Sequence, residues 1–205
     1  MKRLLSVLTL LFGLLFTGSS LSSKSVKELW LEMPDSIIGY LTKTQRISLC
    51  DAFEFQDENT IKNQLGGTSQ IKQLTTDHMQ VMLNGSTSLQ LGLLPNAEGD
   101  SVVCMIKTFQ SAESTVELYD QQWQRLKDFR PTLQQLLVRP DTMTQATFDS
   151  LKANIDPILI RATLDSDEKA LLLNLSLPFL GESERKQMEN ICLQKKLKWN
   201  GETFN

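Results

Sequence analysis

The chain has 205 residues, 40% of them apolar and 22% charged, and its 21 Lys and Arg against 24 Asp and Glu give a formal net charge of −3. An acidic chain without clustered Lys and Arg lacks the counterion-displacing surface that nucleic-acid binding requires. One His and three Cys with no Cys-x-x-Cys pair speak against a zinc site or a Cys–His nucleophile.

Lys2 and Arg3 precede an uncharged apolar run from Leu4 to Phe16, and the small residues Thr17 to Ser23 follow at once. That order is the pattern of a secretory signal peptide, and the run is shorter than the roughly 20 residues a helix needs to span a bilayer. Cleavage is expected after Ser20, Ser22 or Ser23, so residues 1–22 form the signal and 23–205 the mature domain. No Cys stands near the cleavage region, so the thiol of a lipoprotein is missing. A released periplasmic or secreted protein is expected, with no membrane span once the signal is removed.

Val26 to Met33 is too short to decide between strand and helix. Asp35 can accept hydrogen bonds from free amides, and with Ile37, Ile38 and Leu41 at helical spacing it predicts a helix starting at Met33–Ser36. A second short helix is predicted over Thr44–Phe53, with Ile47, Cys50 and Phe53 on its apolar stripe. From Asn59 the period changes to two, and Ile61, Asn63 and Leu65 lead to a hairpin turn at Gly66–Gly67. Strand signals recur at Ile71–Leu74, Met79–Leu83, Leu89–Leu94, Val102–Phe109 and Thr115–Tyr119. Their short, turn-rich connections predict an antiparallel meander.

A helical or irregular bridge is expected from Asp120 to Leu137, broken by Pro131 and Pro140; residues 23–205 are expected as a single α+β domain, the alternative being two subdomains divided near 128–141. A helix follows over Asp141–Ala153. Ile158–Leu164 and Ala170–Leu177 then form a hairpin about Asp165–Glu168, with Leu171, Leu173, Leu175 and Leu177 on a core face. Glu182–Lys195 reads as a helix, acidic at its start, with Lys195, Lys196 and Lys198 meeting the negative end of its dipole. Leu197 to Phe204 can return as an edge strand. The fold class is α+β: short N-terminal helices, an antiparallel β-meander, then a second hairpin with a C-terminal helix.

No catalytic, cofactor-binding or metal-binding residue can be nominated. His78 alternates away from Met79, Val81 and Leu83, as an exposed strand residue would. Asp165–Glu168 is too short a loop for a calcium site, and Asp51, Glu54, Asp57 and Glu58 read as a charged helix end. Cys50, Cys104 and Cys192 lie in apolar neighbourhoods and are expected as buried thiols, the alternative being one disulfide with the third thiol free. Tyr119 and Trp123 are the recognition candidates, since aromatic side chains following a strand can line a sugar or peptide groove.

The stretches Met33–Thr42 (MPDSIIGYLT), Asn63–Gly67 (NQLGG), Leu91–Leu94 (LGLL) with Val102–Thr108 (VVCMIKT), and Val116–Trp123 (VELYDQQW) resemble, in order and spacing, a family of exported Bacteroidales proteins catalogued as domain of unknown function 3256. Gly39 stands where a second proline is expected in that family. The resemblance implies export in a Gram-negative envelope and supplies no activity. The expected role is a non-enzymatic binding or assembly module of the bacterial cell envelope, with an envelope protein or a glycan as partner. The alternative is an envelope hydrolase acting on glycan or peptide.

Overall fold

The computed structural model describes residues 24–55, 60–110, 113–177, 180–191 and 194–205. The segment that the sequence leaves undecided is helix α1 (Val26–Glu32). Its start is fixed by a capping box, in which Ser25 Oγ accepts from the Glu28 amide and the Glu28 carboxylate accepts from the Ser25 amide at 2.7 Å. Val26, Leu29 and Trp30 are its buried face.

The helix expected after Pro34 does not form. Residues 34–41 run through turns, with one helix-like bond from the Ile37 amide to the Pro34 carbonyl. The cause lies further along the chain, in α2 (Lys43–Glu54), where the Arg46 side chain is fully buried. Its Nε donates to the Trp30 carbonyl at 3.0 Å, Nη1 donates to the Leu41 carbonyl at 2.9 Å and to Asp35 Oδ1 at 2.8 Å, and Nη2 donates to the Met33 carbonyl. The guanidinium thus clamps the segment at both ends, through the Met33 carbonyl before it and the Leu41 carbonyl at its close, and ties both back to the last turn of α1 at Trp30, a span that a straight helix over 34–41 would hold apart. Asp35, expected as a cap, is the counterion instead. The buried stripe of α2 is accordingly Arg46, Leu49 and Cys50; of the predicted stripe Cys50 is buried, while Ile47 is 41% exposed because its neighbour Arg46 takes the inward position.

The meander predicted from period two is present and longer than expected. Strands β1 (Ile61–Lys62), β2 (Thr68–Leu74), β3 (His78–Met82), β4 (Thr87–Pro95), β5 (Ser101–Phe109), β6 (Glu113–Tyr119) and β7 (Arg125–Phe129) form one antiparallel sheet in sequence order. The first turn carries Gly66 at φ +79, and the buried Asn63 holds it by accepting from the amides of Leu65 and Gly67 at 3.0 Å each. β7 falls where a helical or irregular bridge was expected. Its exposed Leu126 and three charged residues give no apolar alternation, and it is a strand because it pairs with β6 from Tyr119 to Val116.

The second layer comprises a 3-10 turn (Leu133–Gln135), α3 (Gln145–Ala153), β8 (Leu159–Asp165), β9 (Ala170–Ser176), α4 (Glu182–Glu189) and β10 (Lys195–Lys198), with the strands ordered β10-β9-β8. α3 starts at Gln145, four residues after the expected start, with Thr144 as its cap. α4 ends at Glu189, so the Lys195–Lys198 group meets no helix dipole; it belongs to the edge strand β10, where Lys196 Nζ sits 3.1 Å from Asp165 and 2.5 Å from Glu168. None of the described helices is long and apolar enough to cross a membrane.

Side-chain alternation divides the interior. Leu89, Leu91, Val103 and Met105 face α1 and α2 together with Leu29, Trp30 and Leu49. Cys104, Ile106, Val116 and Leu118 face the other way, onto Ile160, Ala162, Leu164, Leu171 and Leu173 of the second sheet. The order of layers is therefore helices, seven-stranded sheet, three-stranded sheet. Gly92 on β4 makes the last contact close: a Cβ there would lie 2.0 Å from Leu164 Cδ2. Cys50 and Cys104 are free and buried in opposite cores, burial pushing their thiols up to about 11 and about 12; Cys192 lies outside the described residues.

Candidate functional site

The second sheet meets the first through the outer edge of β8. The Ala162 amide donates to Ser114 Oγ of β6 at 3.0 Å, and the Leu164 amide donates to Gln90 Oε1 of β4 at 2.9 Å. Ser114 Oγ is itself held by Thr108 Oγ1 at 2.8 Å. In an antiparallel pair, alternate residues direct both backbone groups away from the partner strand. Positions 162 and 164 point outward from β9, so position 160, which pairs with Leu175, does the same.

Beyond Ser114 the two sheets diverge. β7 stops at Phe129, opposite Val116, because the following Arg130–Pro131 leaves the sheet and Pro131 has no amide to offer a ladder. The opening left behind is a groove of about 380 Å³ between β6 residues 113–117 on one wall and Ile158 and Ile160 on the other, with Phe129 and Pro131 at its end. Its walls are mixed in character: Ile158 is half exposed, whereas Ile160 is buried.

One guanidinium organises the polar wall. Arg125 donates from Nη2 to Glu117 Oε1 at 2.7 Å and from Nε to Asp128 Oδ1 at 2.8 Å. The Glu117 charge beside it raises the Arg125 pKa further above its ordinary value. The second oxygen of Glu117 accepts from the Tyr119 hydroxyl at 3.0 Å. Burial, and then that contact, pushes the phenol up to about 12. Arg130, exposed at the rim, lies 3.7 Å from Asp128.

Tyr119 and Trp123, singled out in the sequence, come together with ring centroids 5.4 Å apart. Both are buried, and the Trp123 indole donates to the Leu29 carbonyl of α1 at 3.0 Å. The pair stands on the helix side of the sheet and touches the groove only through Glu117. His78 corrects its expectation outright: it is 6% exposed, and neither ring nitrogen has a hydrogen-bond partner. The face opposite Met79 and Val81 is not solvent, because the β8–β9 hairpin covers it. The fields of Asp77, Lys169 and Asp167 reach the ring, and burial, the largest effect, lowers its pKa.

Asp165 accepts from the Glu168 amide at 3.0 Å within a closed turn. Glu54 pairs with Lys27, and Asp57 and Glu58 lie outside the described residues. Among the described residues no three His, Cys, Asp or Glu gather as metal ligands would. The groove residues Ser114, Arg125 and Ile158 carried no signal in the sequence, since β6, β7 and β8 meet only in the fold.

A solved structure, a domain of an uncharacterized protein from Porphyromonas gingivalis W83, superposes with a TM-score of 0.71 at 20% identity, covering 89% of this chain and 99% of that chain. At that identity the likeness is one of fold. No curated protein matches the chain. The family model described as protein of unknown function (DUF3256) matches residues 18–204, nearly the whole chain, and the protein therefore belongs to that family.

Proposed function

We propose that the protein is exported and acts as a non-enzymatic binding or assembly module of the bacterial cell envelope, with the groove between β6 and β8 as its ligand surface. The observation that carries this reading is the groove itself. It joins apolar surface at Ile158 and Pro131 to an ordered ionic wall built on Arg125, the combination by which recognition sites gain both affinity and orientation. Export is supported by Lys2, Arg3 and the apolar run to Phe16, and by a family match that begins at residue 18, just past that run. In this reading Tyr119 acts on the groove through Glu117, and Trp123 fixes α1 beneath the sheet.

The test is site-specific photocrosslinking in living cells, with benzoylphenylalanine at Ile158 and, as control, at Ser150 on the exposed side of α3. The expected result is a discrete adduct from position 158 in the envelope fraction and none from 150. A chain retained in the cytoplasm with its first 22 residues uncleaved, or equal labelling from both positions, overturns the proposal.

A further inference from the structure

Resting on the groove as a binding surface, the geometry points to its occupant: an extended polypeptide segment that adds as a short strand along the outer edge of β8 at Ile158–Ile160, with an apolar side chain against Ile158 and Pro131. The outward row of β8 has three rungs in view. Those at Leu164 and Ala162 are satisfied from within, by Gln90 and Ser114. The rung at Ile160 opens into the groove instead, and no side chain among the described residues supplies the acceptor that its two neighbours have.

The facing wall repeats the feature. Glu113, Ser114 and Thr115 pair with β5 on one side, while β7 ends opposite Val116 and no strand among the described residues pairs with their other edge. A slot between two strand edges presents backbone donors and acceptors at strand spacing, which an extended peptide matches and a compact ligand does not.

The side chains favour the same ligand. Arg125 is engaged by two carboxylates, and Arg130, 88% exposed, shares Asp128 only at 3.7 Å, so Arg130 and Glu113 present charges of opposite sign at the rim that can meet polar residues flanking an apolar one. A glycan would call for an aromatic platform. Phe129, the groove's aromatic residue, is instead packed edge-on against Phe204 with centroids 5.5 Å apart. Tyr119 and Trp123 are closed against each other.

The experiment pans the full chain, with its leader removed, against a displayed random peptide library. Recovered peptides are resynthesised with single N-methyl groups walked along the backbone, and binding is compared with Ile158→Glu, a half-exposed position whose substitution leaves the core intact. Strand addition predicts loss of binding at alternate N-methyl positions and a fall of about tenfold or more in Ile158→Glu, as for removal of an interface anchor. Peptides that bind Ile158→Glu equally well, or that tolerate N-methylation everywhere, overturn it. Envelope glycan fragments that bind and are lost in Ile158→Glu, with no peptide recovered, overturn strand addition while leaving the groove as a binding surface. Recovery of neither ligand overturns both.

Discussion

Replacing Arg46 by Met keeps the length and apolar stem of the side chain and removes the guanidinium. Three backbone carbonyls, of Trp30, Met33 and Leu41, then lose their donor inside the core, and Asp35, half exposed, loses its counterion. An unsatisfied buried acceptor costs about 1–3 kcal/mol, with the lower end applying where the loop can relax toward water. The three together, counted at that lower end, give about 3 kcal/mol, to which the half-exposed Asp35 adds little. Urea unfolding followed by far-UV circular dichroism measures it as a lower midpoint at unchanged slope. Arg46→Lys should recover only part of the loss, because one ammonium cannot reach carbonyls on two sides as a planar fork does. A loss of unfolding free energy in Arg46→Met below about 1 kcal/mol, taken as slope times midpoint shift, would refute the idea that this side chain holds residues 34–41 in place.

Gly92→Ala is expected to destabilise by about 1–3 kcal/mol through overpacking, since the new methyl meets Leu164 Cδ2 at 2.0 Å; paired with Leu164→Ala it should be partly rescued, which a thermal melt of the single and double variants checks. Burial lowers the pKa of His78 below 6.5 in the folded state, so the unfolded chain takes up the proton first and stability falls as pH drops below 6.5. His78→Leu should flatten stability across pH 7.5 to 5.5, and a variant that tracks the parent over that range contradicts the assignment. With their thiols raised to about 11 and about 12, Cys50 and Cys104 should resist iodoacetamide at pH 8 in the native protein and react fully in urea, read by peptide mass spectrometry.

The parts of this fold that were legible in sequence are those whose pattern is local. β3 to β6 and the β8–β9 hairpin are marked by alternation or by short apolar runs over five to nine residues, and the structure places each within a residue or two of its signal. What was hidden depends on partners far along the chain. Arg46 looks like a surface residue of α2 until the carbonyls that enclose it, from residues 30 to 41, are folded around it. His78 occupies the polar side of its strand, and only the arrival of a hairpin more than eighty residues later turns that side inward. β7 lacks any apolar period because its stability comes from β6 and from two ion pairs. The groove is the extreme case: Ser114 and Ala162, whose bond marks its inner end, are 48 positions apart.

β4 and β5, buried on both faces, have a consequence for how the molecule opens. Each carries side chains of both interiors, Leu91 and Met105 toward the helices, Leu94 and Cys104 toward the second sheet. Either outer layer can therefore detach while this ribbon keeps cover on its other face. The amides of β4 and β5 should be the slowest to exchange with solvent, and those of α1, α3 and β10 should exchange through smaller, separate openings. A ligand seated in the groove would bear on only one of those openings, the one in which β8 lifts from Ser114, and its arrival would be read there as protection without any change at α1.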